Sequence, residues 1–507
     1  MLSISRLHLI NYLCKLTKSK FTVCTALILV TVISFYFANS YAVVSIKDPN
    51  LSTEIVAQGL NYPTAMVFLN ADEILVTEKD VGKVTRIVNG TISNNTVLTI
   101  DIDHLYERGL LGMVLNKERR EVRENEQNEP KYVYLFYTQP TSEKNATQSA
   151  SDNSTECKEQ TCLESQYSNR LYRYEYKDGK LVNPKLMIDI PIYWNNRVYP
   201  AAYSAILKGE SNWIHYPLRE GIHQGGKLII GPDKNIYLVT GDGGGCLNKD
   251  GCYRSTKNGF LSIKSSNKIN GTNPIGMGGI LRVTDDGKIV GNKGVLGDQF
   301  PVAFYYAYGI RNSFGLDFDP VTGKLWDTEN GPHFGDEINL VEDGFNSGWA
   351  KVQGIWPVAN YTLLHFNSTE RGIHYPPDQG VINKKLEDYD GKGTYSDPEF
   401  TWNASVGVTS IKFLDIDKYG NQYINDVLVG DAYGRIYHFD LNENRTGLNL
   451  TGSLSDKVAN NSSEVRDLIF AEGLDTITDM QIGPDGYLYV LSYTGKIVKV
   501  VPKDTST

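Results

Sequence analysis

Three short stretches of this 507-residue chain carry side chains suited to acid–base or metal chemistry. The first contains His223, just before Gly225 and Gly226, and a neutral imidazole is the usual proton acceptor near physiological pH. The second is the pair Arg311–Asn312, whose side chains donate hydrogen bonds that suit a developing oxyanion. Each also has an ordinary interpretation, as a structural hydrogen-bonder or a strand-end ion pair.

The third stretch, residues 329–349, combines acids with glycines. It reads Glu-Asn-Gly-Pro-His-Phe-Gly-Asp-Glu-Ile-Asn-Leu and ends in Gly-Trp. Adjacent carboxylates (Asp336 and Glu337) with free carbonyl groups nearby suit a hard cation such as Ca²⁺. The spacing of an EF-hand is absent, so only the residue types indicate a metal.

These stretches border a recurring pattern of apolar strand, polar turn and second apolar strand. In residues 226–240 the turn is Gly-Pro-Asp, in which Pro232 fixes its own φ and Asp233 can bond its own backbone. The pattern recurs at residues 64–78, 313–328, 410–429 and 478–493. Spaced repeats too small to bury their own faces indicate a β-propeller. We therefore predict an all-β, six-bladed β-propeller with few helices apart from the N-terminal leader.

Long insertions interrupt the repeats at residues 141–166, 193–221 and 246–275. The second insertion is rich in tyrosine and tryptophan and directly precedes His223. Its aromatic side chains could stack on sugar rings or pack on blade edges, and the sequence leaves both readings open.

The N-terminus carries an apolar leader. Residues 21–37 are uncharged and largely apolar, they follow basic residues, and small residues that suit signal peptidase come next. The segment 1–44 is therefore a signal peptide or an uncleaved membrane anchor, followed by a linker at 45–56 and the propeller at 57–502. Two close cysteine pairs (Cys157/Cys162 and Cys246/Cys252) and dense Asn-x-Ser/Thr sequons agree with an extracytoplasmic, disulfide-bonded glycoprotein.

The net charge and the N-terminal leader indicate which kinds of binding partner to expect. The formal net charge is −9 and no basic block is present, which argues against nucleic acid as a partner. We expect membrane contact only through the N-terminal segment, if it is not cleaved.

Together the motifs resemble the soluble glucose dehydrogenase / sorbosone dehydrogenase family. The matching elements are His-x-Gly-Gly-Lys-Leu-Ile-Ile-Gly-Pro-Asp from residue 223, Gly-Ile-Arg-Asn-Ser-Phe-Gly-Leu from 309, the stretch from 329, and Gly-Leu-Leu-Gly from 109. The match runs from about residue 57 to 501. The resemblance implies a six-bladed propeller that oxidises the anomeric carbon of aldose sugars with pyrroloquinoline quinone (PQQ) and Ca²⁺, and that passes electrons to an external acceptor.

The resemblance also implies roles for single residues. His223 falls on the general base, and Arg311 with Asn312 falls on the donors to the cofactor's quinone oxygen and the developing alkoxide. These three residues are thus the expected cofactor-binding residues. Glu107 falls where members of the family often have Gln near the substrate.

The metal ligands implied by the resemblance belong to two Ca²⁺ sites. The carbonyl groups of Gly331 and Pro332 fall on those that hold the cofactor's Ca²⁺. Glu337, with the backbone of Ser347, falls on a second, structural Ca²⁺ site.

Several positions depart from the family pattern. Ala432 stands where a lysine is expected, and Thr476 and Thr478 stand where two arginines are expected to hold the carboxylates of PQQ. PQQ has three carboxylates, and each lost charge-assisted hydrogen bond weakens binding by roughly 1.5–3 kcal/mol. Arg435 and Arg466 are the nearby cations that could replace them.

Two further functions therefore stay open. One is a non-catalytic extracellular propeller that binds a glycan or a protein with the same face. The other is a Ca²⁺-dependent hydrolase such as a lactonase, which requires a cluster of inward carboxylates around one ion.

Overall fold

The computed structural model describes residues 44–116, 131–140, 167–192, 222–244, 263–271, 273–332, 334–355 and 386–503. The leader, both cysteine pairs and the aromatic insertion at 193–221 lie outside these residues. Among the described residues no helix is long and apolar enough to cross a membrane. The chain divides into two units, Met1–Ser45 and Ile46–Thr507, and every blade belongs to the second.

The strands form six sheets, here called blades 1 to 6. Two strands, β1 (Ser45–Ile46) and β2 (Leu51–Gln58), precede the first blade. Blade 1 contains β3 (Pro63–Asn70), β4 (Glu73–Glu78), β5 (Lys83–Val88), β6 (Thr91–Ile92) and β7 (Leu98–Thr99). Blade 2 contains β8 (Leu110–Leu115), β9 (Lys131–Pro140), β10 (Tyr167–Lys177) and β11 (Lys180–Ile192). Blade 3 contains β12 (Leu228–Ile230), β13 (Ile236–Thr240), β14 (Gly279–Val283) and β15 (Tyr305–Tyr308).

The second half of the chain forms the other three blades. Blade 4 contains β16 (Ser313–Phe318), β17 (Leu325–Glu329) and β18 (Asp336–Val341); β19 (Phe345–Asn346) and β20 (Thr394–Tyr395) extend blade 3. Blade 4 also includes β21 (Phe400–Trp402) and, further along the chain, β25 (Val458–Ala459). Blade 5 contains β22 (Val408–Phe413), β23 (Val427–Asp431), β24 (Ile436–Phe439) and β26 (Ile469–Glu472). Blade 6 contains β27 (Ile477–Ile482), β28 (Leu488–Ser492) and β29 (Lys496–Pro502), with β2 as its outermost strand.

The first strands of the blades close a ring. β3 contacts β8, β8 contacts β12, β12 contacts β16, β16 contacts β22, β22 contacts β27, and β27 returns to β3. This circuit confirms the predicted six-bladed propeller. In the described part of the chain, the helical segments are α1 (Ser462–Asp467) and four short 3₁₀ turns at Lys264–Ser266, Val302–Phe304, Asn421–Tyr423 and Gly452–Leu454. The expectation of few helices is thus confirmed for these residues.

The predicted hairpin turns form as the sequence indicates. At residues 231–235 the Gly231 N–H donates to the Asn235 carbonyl (2.9 Å), and Asp233 Oδ1 accepts from the Asn235 N–H (3.1 Å). The Gly-Pro-Asp turn of blade 6 repeats this pattern, because the Gly483 N–H donates to the Tyr487 carbonyl (2.9 Å). These local bonds fix the register of the first two strands in blades 3 and 6.

The core lies between neighbouring blades. All five residues of β13 are buried, because both faces of the blade are covered by its neighbours. Large buried side chains such as Trp326, Phe400 and Trp402 fill the space between blades 4 and 5. Burial of these faces, and not helix packing, stabilises the ring.

One end of the ring, here called the top face, carries the loops that enter each first strand and the loops that join each second strand to the third. Since β12 and β13 are antiparallel, residues just before β12 and just after β13 lie side by side. The sequence-predicted residues at 107, 223, 311–312 and 331–332 all belong to such loops. One boundary needs correction: β2 starts at Leu51, so residues 51–56 of the predicted linker belong to blade 6.

Candidate active site

A His–Asp pair lies at the top of blade 3. His223 Nδ1 is 2.6 Å from Asp242 Oδ1, and both residues are buried. Asp242 is held in turn by the Gly244 N–H (2.9 Å) and by the indole N–H of Trp349 (2.7 Å). Burial raises the pKa of Asp242, but the neighbouring His223 and Arg311 outweigh it and hold that pKa below its usual value. The aspartate therefore stays ionised and orients the imidazole, whose Nε2 has no hydrogen-bond partner among the described residues.

The backbone at His223 is unusual. Its φ is 56°, in the left-handed region that non-glycine residues rarely adopt. The carbonyl of His223 approaches Gly241 so closely that a Cβ on Gly241 would overlap its oxygen. Strained backbone persists where the surroundings enforce it, and such positions concentrate at functional sites.

Glu107 links this loop to its neighbours. Its Oε2 accepts from the backbone N–H groups of His223 (2.6 Å) and Gln224 (3.4 Å) and from Asn312 Nδ2 (3.3 Å). The Asn312 side-chain oxygen in turn accepts from the Gly225 N–H (3.3 Å). Three separate chain segments therefore meet at one carboxylate oxygen.

Arg311 lies beside this pair, on the loop that enters β16. Its NH1 donates to the carbonyl oxygens of Asn330 (2.8 Å) and Gly331 (3.0 Å), and its guanidinium carbon lies 5.3 Å from the centre of the Trp349 ring. Burial lowers the pKa of Arg311, against the opposing effect of the surrounding carboxylates of Asp242, Glu107, Asp336 and Glu329. The guanidinium is thus a single cation in an acidic environment.

The carbonyl groups predicted to hold a cofactor-bound Ca²⁺ are only partly in place. The Gly331 carbonyl accepts from Arg311, and the Gly331 N–H donates to Asp336 Oδ1 (2.8 Å). Asp336 also accepts from Ser405 Oγ (2.6 Å) and from the N–H groups of Val406 and Gly407. Pro332 is partly exposed in the same loop. The Arg311 guanidinium, itself a cation, thus binds the Gly331 carbonyl, which is one of the two predicted Ca²⁺ ligands.

A second acidic group lies in the core of blade 4. In the register of β17 and β18, Glu329 is opposite Glu337 and Asp327 is opposite Asn339, so the four side chains share one buried face. Ser347 Oγ lies 2.6 Å from Glu329 Oε2 and 3.2 Å from Glu337 Oε2. The structure therefore brings Glu337 and Ser347 together, through the Ser347 hydroxyl and not through the predicted backbone, and adds the side chains of Asp327, Glu329 and Asn339, which were not predicted as ligands.

This buried group, here called the acidic core cluster (Asp327, Glu329, Glu337 and Asn339), suits a hard cation. Both carboxylate oxygens of Asp327 and Oδ1 of Asn339 lack a hydrogen-bond partner within ordinary geometry among the described residues. Burial raises the pKa of Asp327 to about 7 and that of Glu337 to about 8, and it raises the pKa of Glu329 as well. These side chains are buried, carry mainly oxygen atoms and are partly unpartnered, which is the ligand chemistry that Ca²⁺ prefers.

The opposite side of the channel mouth, on blades 5 and 6, has a different character. Thr476 Oγ1 donates to the Ala432 carbonyl (2.8 Å), and Thr478 Oγ1 donates to the Leu491 carbonyl (3.3 Å). The nearest cation, Arg435, binds Asp431, a fully buried carboxylate, through Nε (2.7 Å) and NH2 (2.6 Å). Tyr433, 71 % exposed, follows Ala432. We call residues 432, 433, 476 and 478 the neutral wall.

An ion pair connects blade 3 to blade 6 below the mouth of the channel. Lys227, four residues after His223, reaches across the channel to Asp479 on the first strand of blade 6, with Nζ 2.5 Å from Oδ1. Blades 3 and 6 are opposite each other in the ring, so this ion pair crosses the channel under any ligand that lies between His223 and the neutral wall.

Most of the predicted site residues converge. His223, Arg311, Asn312 and Glu107 form one network, and Gly331 joins it through Arg311. Asp242 was not predicted as a site residue, although it lies just after β13, because its pairing with His223 depends on the register of a hairpin. Arg466 belongs to α1, between β25 and β26 and away from the mouth loops.

One other group of possible metal ligands occurs in the described part of the chain. It consists of Asp426, His438 and Asp440, with His438 Nε2 2.8 Å from Asp426 Oδ2. Asp426 precedes β23 and Asp440 follows β24, so the group lies at the end of blade 5 opposite to the top face. It does not supply the inward carboxylate cluster expected for a hydrolase.

Fold and site together define a class: a six-bladed propeller whose top face carries a buried His–Asp pair beside an arginine and an asparagine. Residues 210–499 match the family model described as Glucose / Sorbosone dehydrogenase. The chain belongs to this family, as its sequence motifs predicted.

Two related proteins and one solved structure are similar to this chain. It is 26 % identical over 290 residues to the aldose sugar dehydrogenase YliI of Escherichia coli, covering 57 % of this chain and 62 % of that protein. It is 26 % identical over 329 residues to quinoprotein glucose dehydrogenase B of Acinetobacter calcoaceticus, covering 64 % of this chain and 57 % of that protein. A structure of the PQQ-bound form of an aldose sugar dehydrogenase from Streptomyces coelicolor superimposes with a TM-score of 0.51 at 19 % identity, over 90 % of this chain and 99 % of that one. This likeness supports the fold, and the relation to the dehydrogenases is distant.

Proposed function

We propose that the top face binds an aldose sugar and that His223 removes the proton of its anomeric hydroxyl, so that the protein acts as an exported oxidoreductase on the CH–OH group at C1. The observation that carries this proposal is the contact of 2.6 Å between His223 Nδ1 and the buried carboxylate of Asp242. It gives the imidazole one fixed tautomer with Nε2 as proton acceptor. A His–Asp pair of this kind, on strained backbone, is more than a structural hydrogen bond requires.

The other residues of the network support the same chemistry. As the hydroxyl loses its proton, negative charge develops on the sugar oxygen, and the donors on Arg311 and Asn312 are the groups suited to stabilise it. The removal of that proton makes C1 a hydride donor. Among the relatives, the protein from Acinetobacter is named a quinoprotein and the one from Streptomyces is described as PQQ-bound.

The residues present do not fit PQQ itself. Its three carboxylates require cations, but the neutral wall offers alanine and threonine, and both threonine hydroxyls already bond backbone carbonyls. Arg435 is neutralised by Asp431, and the surroundings of Arg311 are acidic. An uncharged quinone is the kind of hydride acceptor that this wall accommodates.

Calcium fits the acidic core cluster. Asp327, Glu329, Glu337 and Asn339 would supply its oxygen ligands, and the ion would neutralise carboxylates that burial otherwise keeps protonated. Because Glu329 Oε1 also accepts from the Arg311 N–H (2.7 Å), an ion there would fix the loop that carries Arg311. Its contribution would be structural and electrostatic.

The second candidate is glycan recognition without catalysis. The specific observation that favours it is the bond from Thr476 to the Ala432 carbonyl, which uses a former anchoring position to close the wall between blades 5 and 6. In that case the His223–Asp242 pair would orient a sugar hydroxyl without oxidising it.

One set of measurements separates the candidates. Purified protein with Ca²⁺ is given a series of aldoses, and sugar binding is measured by calorimetry and dye reduction by absorbance. The acceptor is PQQ in one arm and a neutral benzoquinone in the other. Aldose-dependent reduction of the neutral quinone supports the oxidoreductase, and sugar binding without reduction in either arm supports glycan recognition. If no sugar binds and no acceptor is reduced, both proposals are wrong.

A further inference from the structure

The strained backbone of His223 is fixed by hydrogen bonds on both of its sides. The peptide unit before it is held at its two ends, because the Ile222 carbonyl accepts from Gln224 Nε2 (2.7 Å) and the His223 N–H donates to Glu107 Oε2 (2.6 Å). The peptide unit after it is held by the Gly243 N–H, which donates to the His223 carbonyl (3.2 Å). Because the planes of these two units set φ and ψ of His223, the bonds fix its left-handed conformation, in which φ is 56°.

Gln224 is itself held from the neighbouring blade. Its Oε1 accepts from Asn169 Nδ2 (2.7 Å) on β10, and Asn169 Oδ1 accepts from Thr138 Oγ1 (2.7 Å) on β9. All three side chains are fully buried. We call Thr138, Asn169 and Gln224 the buried polar chain. Each member donates to the next, so the chain starts in blade 2 and ends at the carbonyl that precedes His223.

Packing alone gives no reason for the buried polar chain. Apolar side chains of similar size would fill the space between blades 2 and 3 without the desolvation of two amides and a hydroxyl. The chain ends instead at the peptide unit that must keep its orientation if His223 is to keep an unfavourable φ. Strained conformations persist only where the surroundings enforce them. Without this restraint His223 would relax toward the ordinary extended or right-handed regions, and the shift of its Cβ would move Nδ1 away from Asp242.

We propose that Asn169, acting through Gln224, is a positioning residue for the base. It fixes the peptide unit between Ile222 and His223, so that the imidazole stays paired with Asp242. The expected effect on turnover rests on the proposed function. The expected effect on the imidazole rests only on the hydrogen bonds of the buried polar chain.

Two variants break the chain at successive links with little change in side-chain size. Gln224→Met removes the bond to the Ile222 carbonyl, and Asn169→Leu removes the support of Gln224. With ¹⁵N-labelled histidine, NMR distinguishes the tautomer with hydrogen on Nδ1, which the contact with Asp242 favours, from the one with hydrogen on Nε2. The His223 signal is assigned by its absence from His223→Ala. We expect the first tautomer alone in wild type and a mixture of both in each variant.

Turnover provides a second readout for the same variants. The kcat for aldose oxidation should fall about 10- to 100-fold in Gln224→Met and in Asn169→Leu, with KM changed by less than about twofold, because a displaced base slows the chemical step. Since both residues act in one chain, the double variant should lose no more than the worse single variant.

Tyr419→Phe is the matched control. It removes two buried hydrogen bonds between blades 5 and 6, one to the Val500 carbonyl (2.9 Å) and one from the Leu488 N–H (2.7 Å). It therefore destabilises the fold away from the top face and should leave both kcat and the His223 tautomer unchanged.

The outcomes keep this inference apart from the proposed function. An unchanged tautomer in both single variants, or additive losses of kcat in the double variant, overturns the role of Asn169 and leaves the oxidoreductase proposal intact. Mixed tautomers in the variants, together with no aldose oxidation by wild type, support the positioning role and overturn the oxidoreductase. If the single variants fail to fold, Thr138→Val tests the first link, because it removes only a hydroxyl, and Thr138→Ser restores it. An identical His223 tautomer in these two proteins would then contradict the inference.

Discussion

The two sides of the channel mouth differ in what their polar groups bind. On blades 3 and 4, His223, Asp242, Arg311 and Asn312 bind one another or the backbone that positions them, and the imidazole keeps one nitrogen free. On blades 5 and 6, the hydroxyl groups of Thr476 and Thr478 donate to backbone carbonyls. The comparison teaches that, in this family, a buried His–Asp pair beside an arginine and an asparagine can lie opposite a wall of uncharged side chains.

The largest expected effect is on the catalytic side. If His223 is the general base as proposed, His223→Ala should lower aldose-dependent turnover by about 10²- to 10⁴-fold, while sugar affinity changes little. Asp242→Asn should also lower turnover, since an amide in place of the carboxylate destabilises the imidazolium formed on proton transfer. Steady-state kinetics and calorimetry check both. Full turnover in His223→Ala would remove the catalytic side of the comparison.

The next effect concerns the ion pair that joins the two sides. Lys227→Met leaves Asp479 buried and without its cation, which should lower the free energy of unfolding by roughly 3 kcal/mol. The double variant Lys227→Met/Asp479→Leu should recover part of this loss, because the unpaired charge is gone. Urea unfolding followed by fluorescence measures both. A Lys227→Met protein as stable as wild type would show that the two sides are independent.

The neutral wall can be given the cations that the family pattern has at these positions. Ala432→Lys/Thr476→Arg/Thr478→Arg should raise PQQ affinity at least about a hundredfold, since each restored charge-assisted bond contributes roughly 1.5–3 kcal/mol. The control Ala432→Met/Thr476→Gln/Thr478→Gln has similar bulk without charge and should gain little. Absorbance titration with PQQ and Ca²⁺ measures both. A wild-type affinity equal to that of the charged triple variant would contradict the contrast between the two sides.

The last prediction is a pH dependence of stability that arises from the acidic core cluster. In the unfolded chain Asp327 and Glu337 ionise near pH 4, but in the fold their pKa values are about 7 and about 8. The fold therefore binds more protons than the unfolded chain between these limits, so stability should fall as the pH rises from about 5 to about 8 in EDTA. Thermal unfolding across this range measures the slope. Calcium should reduce it, because the ion stabilises the ionised carboxylates, and Glu337→Gln should reduce it without calcium.

The sequence predicts what depends on local pattern. The turn at 231–235 follows from Gly-Pro-Asp, and His223 was placed at the mouth because it precedes that hairpin. Blade 2 escaped the repeat pattern, since residues 116–130 separate its first two strands, whereas two to six residues form this turn in blades 1, 3, 4 and 6. The partners Asp242 of His223 and Glu329 of Glu337 were missed because antiparallel register brings them together. The contact from Arg311 to the Gly331 carbonyl joins the loop before β16 to the loop after β17. The spacing of the two residues in the sequence does not predict it.

The closure of blade 6 has a consequence for biosynthesis. β2 pairs with β29, with Leu51 opposite Pro502, and the Lys503 N–H donates to the Asn50 carbonyl (2.7 Å). β2 therefore cannot form this pairing before β29 has been synthesised, and the ring cannot close until nearly the whole chain has been made. A chain truncated before β29 would leave the edges of β2 and β28 unpaired, in a form prone to aggregation.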